Sequence, residues 1–114
     1  MKENIGTVQY ASMLYDFYGA LLGESQNEVM TMYHEDNLSL SEIAEELGMT
    51  RQAVHYTLKK AEKKLEEYED RLGLVAAYES NQAKAERAAE LIRGLGLSEE
   101  ETEPILKIIE ELAE

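Results

Sequence analysis

The run Leu38-Ser-Leu-Ser-Glu-Ile-Ala-Glu-Glu-Leu-Gly-Met-Thr50 constrains the fold of this chain more than any other segment. Ser39 followed three residues later by Glu42 is a capping box, in which each side chain satisfies a backbone N–H that a helix start leaves unpaired. Leu38 before the cap and Ile43 inside the helix form the accompanying hydrophobic staple. Leu40, Ile43, Ala44 and Leu47 then share one helical face. Gly48 can supply the left-handed exit that ends a helix, and Thr50 is a good N-cap for the next one. The chain must therefore turn within Gly48-Met49-Thr50, with Met49 filling the angle between two helices. Residues 39–64 read as a helix-turn-helix.

The flanking segments are helical as well. Residues 5–22 place Tyr10, Leu14, Phe17 and Leu21 at helical spacing, widened by Met13, Tyr18 and Leu22. Gly19 lowers propensity there but allows a close approach, and Gly23 ends the element. A second helix is expected from a Ser25–Glu28 capping box to about His34, burying Val29, Met32 and Tyr33, with a turn at Asp36-Asn37. After Thr50 the apolar positions Val54, Leu58, Ala61, Leu65, Tyr68 and Leu72 alternate steps of four and three, a heptad-like seam on a long fourth helix. Gly73 breaks it. Residues 74–93 resume the pattern, the sequence GLGL at 94–97 is a linker, and a last helix is expected near 103–113 with Pro104 in its first turn, in preference to a start capped by Ser98 and Glu101. The fold class is all-α, with a helix-turn-helix domain over 1–73 and a helical extension over 74–114.

Composition removes several functions. The 114 residues contain no cysteine, which excludes disulfides and Cys-ligated zinc. His34 and His55 are the only histidines and stand far apart, so no metal site is expected and no cofactor is implied. Ser25 and Ser39 fit caps rather than nucleophiles. No Gly-rich phosphate loop, paired catalytic carboxylates or triad is present, so the chain does not read as an enzyme. The start MKENIGTVQY lacks a signal-peptide core, and no run reaches the ~20 apolar residues of a membrane span. The expected setting is cytoplasmic, without membrane insertion.

A net charge of -13 argues against a general nucleic-acid coat, but the charge is uneven. Residues 24–47 hold seven acids and no Lys or Arg, whereas residues 48–64 hold Arg51, Lys59, Lys60, Lys63 and Lys64 against Glu62 alone. With Val54, Leu58 and Ala61 turned inward, Arg51, Gln52, His55, Tyr56 and Lys59 face outward. Arg pairs with guanine and Gln with adenine in a major groove; the amides near Thr50 suit a phosphate, as do Lys59, Lys60 and Lys63. One competing reading leaves the lysines paired with Glu66 and Glu67 on a solvated helix with no further role; the other is an acidic adaptor that uses the same surface, or its acidic flanks, to bind a basic partner protein. Tyr15, Phe17, Tyr18 and Tyr33 read as core. Asp16 among them is a candidate buried acceptor for a tyrosine or for the Arg51 region.

The stretch NLSLSEIAEELGMTRQAVHYTLKKAEKKLEEYEDRL resembles region 4 of bacterial sigma factors, within the winged-helix-like DNA-binding superfamily. It resembles still more closely the YlxM family of small bacterial proteins, whose genes sit beside those of the signal recognition particle, and Tyr15-Asp16-Phe17-Tyr18 with Leu21-Leu22 resembles that family's N-terminal motif. The resemblance covers residues 10–80; residues 74–114 depart from the short, charged tail it implies. It implies a regulatory protein that binds DNA, or RNA, and a protein partner in the signal recognition particle pathway.

Two apolar surfaces remain to be covered: Leu65, Tyr68 and Leu72 on the long helix, and Ile105, Ile108, Ile109 and Leu112 on the last one. A homodimer would cover them, and so would a tail that folds back within one chain.

Overall fold

The computed structural model describes residues 7–114, and all the regular structure among them is helical. The chain divides into two compact units, residues 1–73 and 74–114. In the first, α1 spans Thr7–Tyr18 and continues as a 3₁₀ turn, Gly19–Leu21; α2 spans Glu24–Met30 and continues as a π turn, Thr31–Glu35; α3 spans Leu40–Leu47 and α4 Arg51–Leu72. The second unit is a hairpin of α5 (Leu74–Arg93) and α6 (Glu99–Ala113).

The centre of the first unit is α4, which receives α1, α2 and α3. Its Val54, Leu58, Ala61 and Leu65 are buried, together with Leu14, Tyr18 and Leu22 from the N-terminus, Val29 and Met30 from α2, and Ile43 and Ala44 from α3. A buried side chain of this size stabilises the fold by about 1.5–3 kcal/mol.

The α3–α4 connection follows its local chemistry. The Ser39 hydroxyl accepts from the Glu42 N–H at 3.1 Å while the Glu42 carboxylate accepts from the Ser39 N–H at 2.8 Å. Gly48 has φ 68°, its N–H and that of Met49 both return to the Ala44 carbonyl, and Thr50 accepts from the Ala53 N–H at 3.0 Å. The turn expected at Asp36-Asn37 is present, with Asn37 itself left-handed at φ 59°.

Other local expectations are corrected. Residues 5 and 6 lie outside the described residues, and α1 stops at Tyr18 because the chain tightens to a 3₁₀ turn at Gly19. The buried stripe is Leu14, Tyr18 and Leu22, leaving Phe17 37% and Leu21 55% exposed. At Gly19 a Cβ would stand 2.7 Å from the Tyr15 ring, so the close approach is to a side chain one turn back, not to a crossing helix. No Ser25 cap forms: α2 starts two residues earlier, at Glu24, with Gly23 as its N-cap and the Gly23 carbonyl taking the Asn27 N–H at 2.8 Å. Within α2 the adjacent Val29 and Met30 are wholly buried, while Met32 and Tyr33 are half-buried. The π turn that begins at Thr31 adds a residue to the helical repeat and rotates the later side chains out of the α-helical register.

Gly73, at φ 62°, terminates α4. In the second unit, α6 begins at Glu99 and not near residue 103. Ser98 and Glu101 make a full capping box, with the Glu101 N–H donating to Ser98 Oγ at 3.1 Å and the Ser98 N–H to the Glu101 carboxylate at 3.0 Å. Pro104 therefore sits in the second turn, where its missing N–H leaves the Glu100 carbonyl without its usual intrahelical donor. Leu106 and Ile109 are half-buried and Ala113 is buried, and Gln82 Nε2 donates to the Ala113 carbonyl at 2.9 Å.

Gly48→Val is expected to cost more than about 1 kcal/mol, since a β-branched residue resists positive φ. Nothing lies within 4 Å of the added Cβ, so the loss is one of backbone conformation alone. Chemical denaturation measures it, and equal midpoints and slopes for the two proteins would refute the assignment.

Candidate nucleic-acid interface

The surface singled out by charge is the N-terminal half of α4. Burial of Val54, Leu58 and Ala61 fixes which way the helix faces, and Thr50, Arg51, Gln52, His55, Tyr56, Lys59, Lys60 and Lys63 are all exposed. At 3.6 residues per turn Gln52, Tyr56, Lys59 and Lys63 form one stripe, with Arg51 and His55 on one flank and Lys60 on the other. Thr50 stands at its head with its hydroxyl occupied as the cap. Tyr56 is 64% exposed, and the Lys60 ammonium lies 5.5 Å from its ring centroid, a cation–π contact at the surface.

The stripe is basic only as far as Lys64. Glu66, Glu67 and Asp70 carry the same exposed side of α4 onward, so the sign reverses within two turns. Closer in, Glu62 lies half-buried beside the stripe, with its carboxylate 3.3 Å from Lys59 Nζ. Its other neighbour is His34, whose Nε2 is 3.8 Å away and whose Nδ1 is 3.4 Å from Ser12 Oγ. Burial pushes the Glu62 carboxyl up, but the His34 ring and the Lys59 ammonium outweigh burial and hold it below the ordinary value of 4.5. Glu62 thus faces the π turn from α4 and partly neutralises one cation of the stripe. Residue types in the sequence mark Glu62 as the one acid of the basic window; its pairing with His34, from another helix, has no short-range signal.

The aromatic N-terminal motif is structural in this fold. Tyr18 is 1% exposed, stacks at 5.9 Å on Tyr68 and donates its hydroxyl to Glu69. The acceptor expected at Asp16 is instead Glu69, and Asp16 is exposed. Tyr15, half-buried, donates to Asn27 Oδ1 at 2.9 Å and also meets Thr31 Oγ1, while Asn27 Nδ2 donates to the Gly19 carbonyl at 2.7 Å. This network joins the 3₁₀ turn to the start of the π turn.

The residues expected to mediate self-association part company. Leu65 is 0% exposed and has no surface to offer a second chain. Tyr68 is half-buried against Tyr18, with its hydroxyl 3.4 Å from the Leu21 carbonyl it donates to, and Leu72 is 55% exposed. On α6, Ile105, Ile108 and Leu112 are 39%, 58% and 77% exposed, while Ile109 is half-covered by α5.

The Glu62 environment has a consequence for acid stability. A carboxyl whose folded value lies below its unfolded one binds protons more weakly when folded. Its contribution is present above about pH 4.5 and is lost as pH falls through the lower folded value. The stability difference between wild type and Glu62→Gln should therefore be steady just above that pH and shrink below it. Denaturant midpoints taken at intervals down to about pH 3 test this; a difference that stays constant or grows on acidification would contradict it.

Comparison with known proteins adds a lineage to this geometry. The family profile described as UPF0122, "Putative helix-turn-helix protein, YlxM / p13 like", matches residues 6–105. The match thus reaches past residue 80 into α6, farther than the sequence resemblance alone extends. A UPF0122 protein of Thermoanaerobacter sp. (strain X514) is 45% identical over 108 residues, which cover 91% of this chain and 88% of that protein. A UPF0122 protein of Caldanaerobacter subterraneus subsp. tengcongensis is 46% identical over 83 residues, 73% of this chain and 71% of its own length. A UPF0122 protein of Bacillus thuringiensis (strain Al Hakam) is 40% identical over 99 residues, 87% of this chain and 90% of its own length.

Proposed function

The chain belongs to the UPF0122 family of YlxM-like helix-turn-helix proteins, and on that premise we propose that it is a regulatory protein that binds nucleic acid through the N-terminal half of α4. In this reading α3 and α4 are the two helices of a helix-turn-helix of the sigma region 4 kind, within the winged-helix-like superfamily, carried by a domain over residues 1–73. The observation that carries the proposal is the exposure of Arg51, Gln52, Tyr56, Lys59 and Lys63 along one side of a helix whose start is fixed by the Thr50 cap. The first turns of such a helix are those that enter a major groove. Arg51 and Gln52 read base edges there, and the lysines hold phosphates. No helix among the described residues is long and apolar enough to cross a membrane. The link of this regulation to the signal recognition particle pathway, through a protein partner of that pathway, has its support in the family resemblance alone.

A second reading has its own support. Lys59 is already engaged by Glu62, and Glu66, Glu67 and Asp70 come next on the same side of the helix, in a chain of net charge -13. An adaptor that docks a basic protein against that acidic half of α4 would use the same fold.

Titration of duplex DNA and of structured RNA at ~50 mM salt separates the two. Binding should weaken steeply as salt rises. Arg51→Ala and Gln52→Ala should relax sequence preference by about 1–3 kcal/mol at the position each reads, and Lys63→Ala should weaken all sequences alike. Failure of the wild type to bind any duplex or RNA pool would remove the nucleic-acid reading and leave the adaptor.

A further inference from the structure

The α5–α6 hairpin buries one side of each helix against the other and leaves a second side bare. Within α6 only Ala113 is fully buried, with Leu106 and Ile109 half-covered. One quarter-turn round from that contact, Ile105, Ile108 and Leu112 stand 39%, 58% and 77% exposed. The matching side of α5 presents Ala88 and Leu91, the leucine 56% exposed, and Leu95 in the turn that follows is 67% exposed. Between the helices on this side runs an open groove of about 220 Å³, floored by Ala85, Ala88 and Ile109 and edged by Lys84 and Leu112. Isolated apolar side chains on a surface need no explanation, but a contiguous strip along two packed helices does.

We infer that a second copy of this chain covers this face, forming a symmetric four-helix bundle in which α5 of each copy lies on α6 of the other. Three observations select this occupant. The two long sides of the face, along α5 and along α6, are oppositely charged. Counting round each helix, the bare side of α5 carries Lys84 between Ala88 and Leu91 and Arg87 at its outer edge, while that of α6 carries Glu101 between Ile108 and Leu112 and Glu111 at its outer edge, with Lys107 behind it. Those charges are also level. Lys84 and Leu112 line the same groove, and Gln82 reaches the Ala113 carbonyl, so Glu111 on α6 stands at the height of Lys84 on α5. Finally, a two-fold axis parallel to the helices keeps height and exchanges edges. It sets Lys84 of each copy against Glu111 of the other while Ile108, Leu112 and Leu91 close over one another. A face with one basic and one acidic margin complements itself; a purely basic partner would meet Lys84 and Arg87 with like charge. The self-complementary patch is what two-fold assembly requires. This places the interface on the tail, and the buried Leu65 of α4 has no part in it.

Sedimentation equilibrium of the full chain at tens of micromolar and ~150 mM salt tests the inference without any nucleic acid. The wild type should sediment at twice its 12.9 kDa mass. Ile108→Glu should raise the dimer dissociation constant by about tenfold or more, with helicity by circular dichroism unchanged. Lys84→Glu and Glu111→Lys should each weaken the dimer, and the two together should restore it. Both sites are exposed, so these variants probe association even if Ile108→Glu were to misfold. A wild type that stays at 12.9 kDa overturns the inference and leaves the face to a different protein. A dimer indifferent to Ile108→Glu, or single charge reversals that the double reversal does not rescue, overturns it as well.

Discussion

Burial of one stripe of α4 is the contact on which the rest of the first unit depends. Val54, Leu58, Ala61 and Leu65 are all but removed from water, and every other helix of that unit packs against the side of α4 that they define. At about 1.5–3 kcal/mol for each large side chain, their sum is comparable with the whole net stability of a small domain. The same burial decides function, because a helix that commits one side to the core has no choice about what the other side shows. Arg51, Gln52, Tyr56 and Lys63 are surface residues because Val54, Leu58 and Ala61 are not.

Around that stripe the polar groups serve the structure first. Tyr18 and Tyr68 stack and each finds an acceptor, in Glu69 and in the Leu21 carbonyl, so the far half of α4 is held to α1 and its 3₁₀ turn. His34 of the π turn faces Glu62 of the near half. A half-buried carboxylate is tolerable there because an imidazole and an ammonium face it, and its depressed pKa reports that balance. The cost is that Lys59, the central cation of the exposed stripe, is shared between the fold and any phosphate.

The two units differ in how completely they satisfy themselves. In the first the seam is buried as far as Leu65, with Tyr68 half-sheltered. The hairpin of α5 and α6 covers only the side each helix gives the other, and its remaining leucines and isoleucines stay wet. A chain of net charge -13 gains no help from electrostatics in bringing copies together overall, so the local arrangement of Lys84 and Glu111 matters more than the total.

What the sequence by itself determined is whatever a few neighbouring residues settle among themselves. Ser39 with Glu42, Gly48, Thr50 and Gly73 act through hydrogen bonds and φ values spanning at most one turn, and each is found where the sequence alone puts it. The heptad-like spacing of α4 likewise identified its buried stripe through Leu65. Where local signals competed, the reading erred. Ser25 and Gly23 both suit an N-cap, and Ser98 and Pro104 both suit a helix start; Gly23 caps α2 without a side-chain bond, and the Ser98–Glu101 box starts α6. The π turn, the shift of the α1 stripe to Leu14, Tyr18 and Leu22, and the choice of Glu69 over Asp16 were decided only by the tertiary structure. Tyr18 and Glu69 are 51 residues apart, and Tyr68 and Leu21 are 47 apart. No spacing rule reaches that far, because such pairs exist only after α4 has gathered the N-terminal helices onto one side.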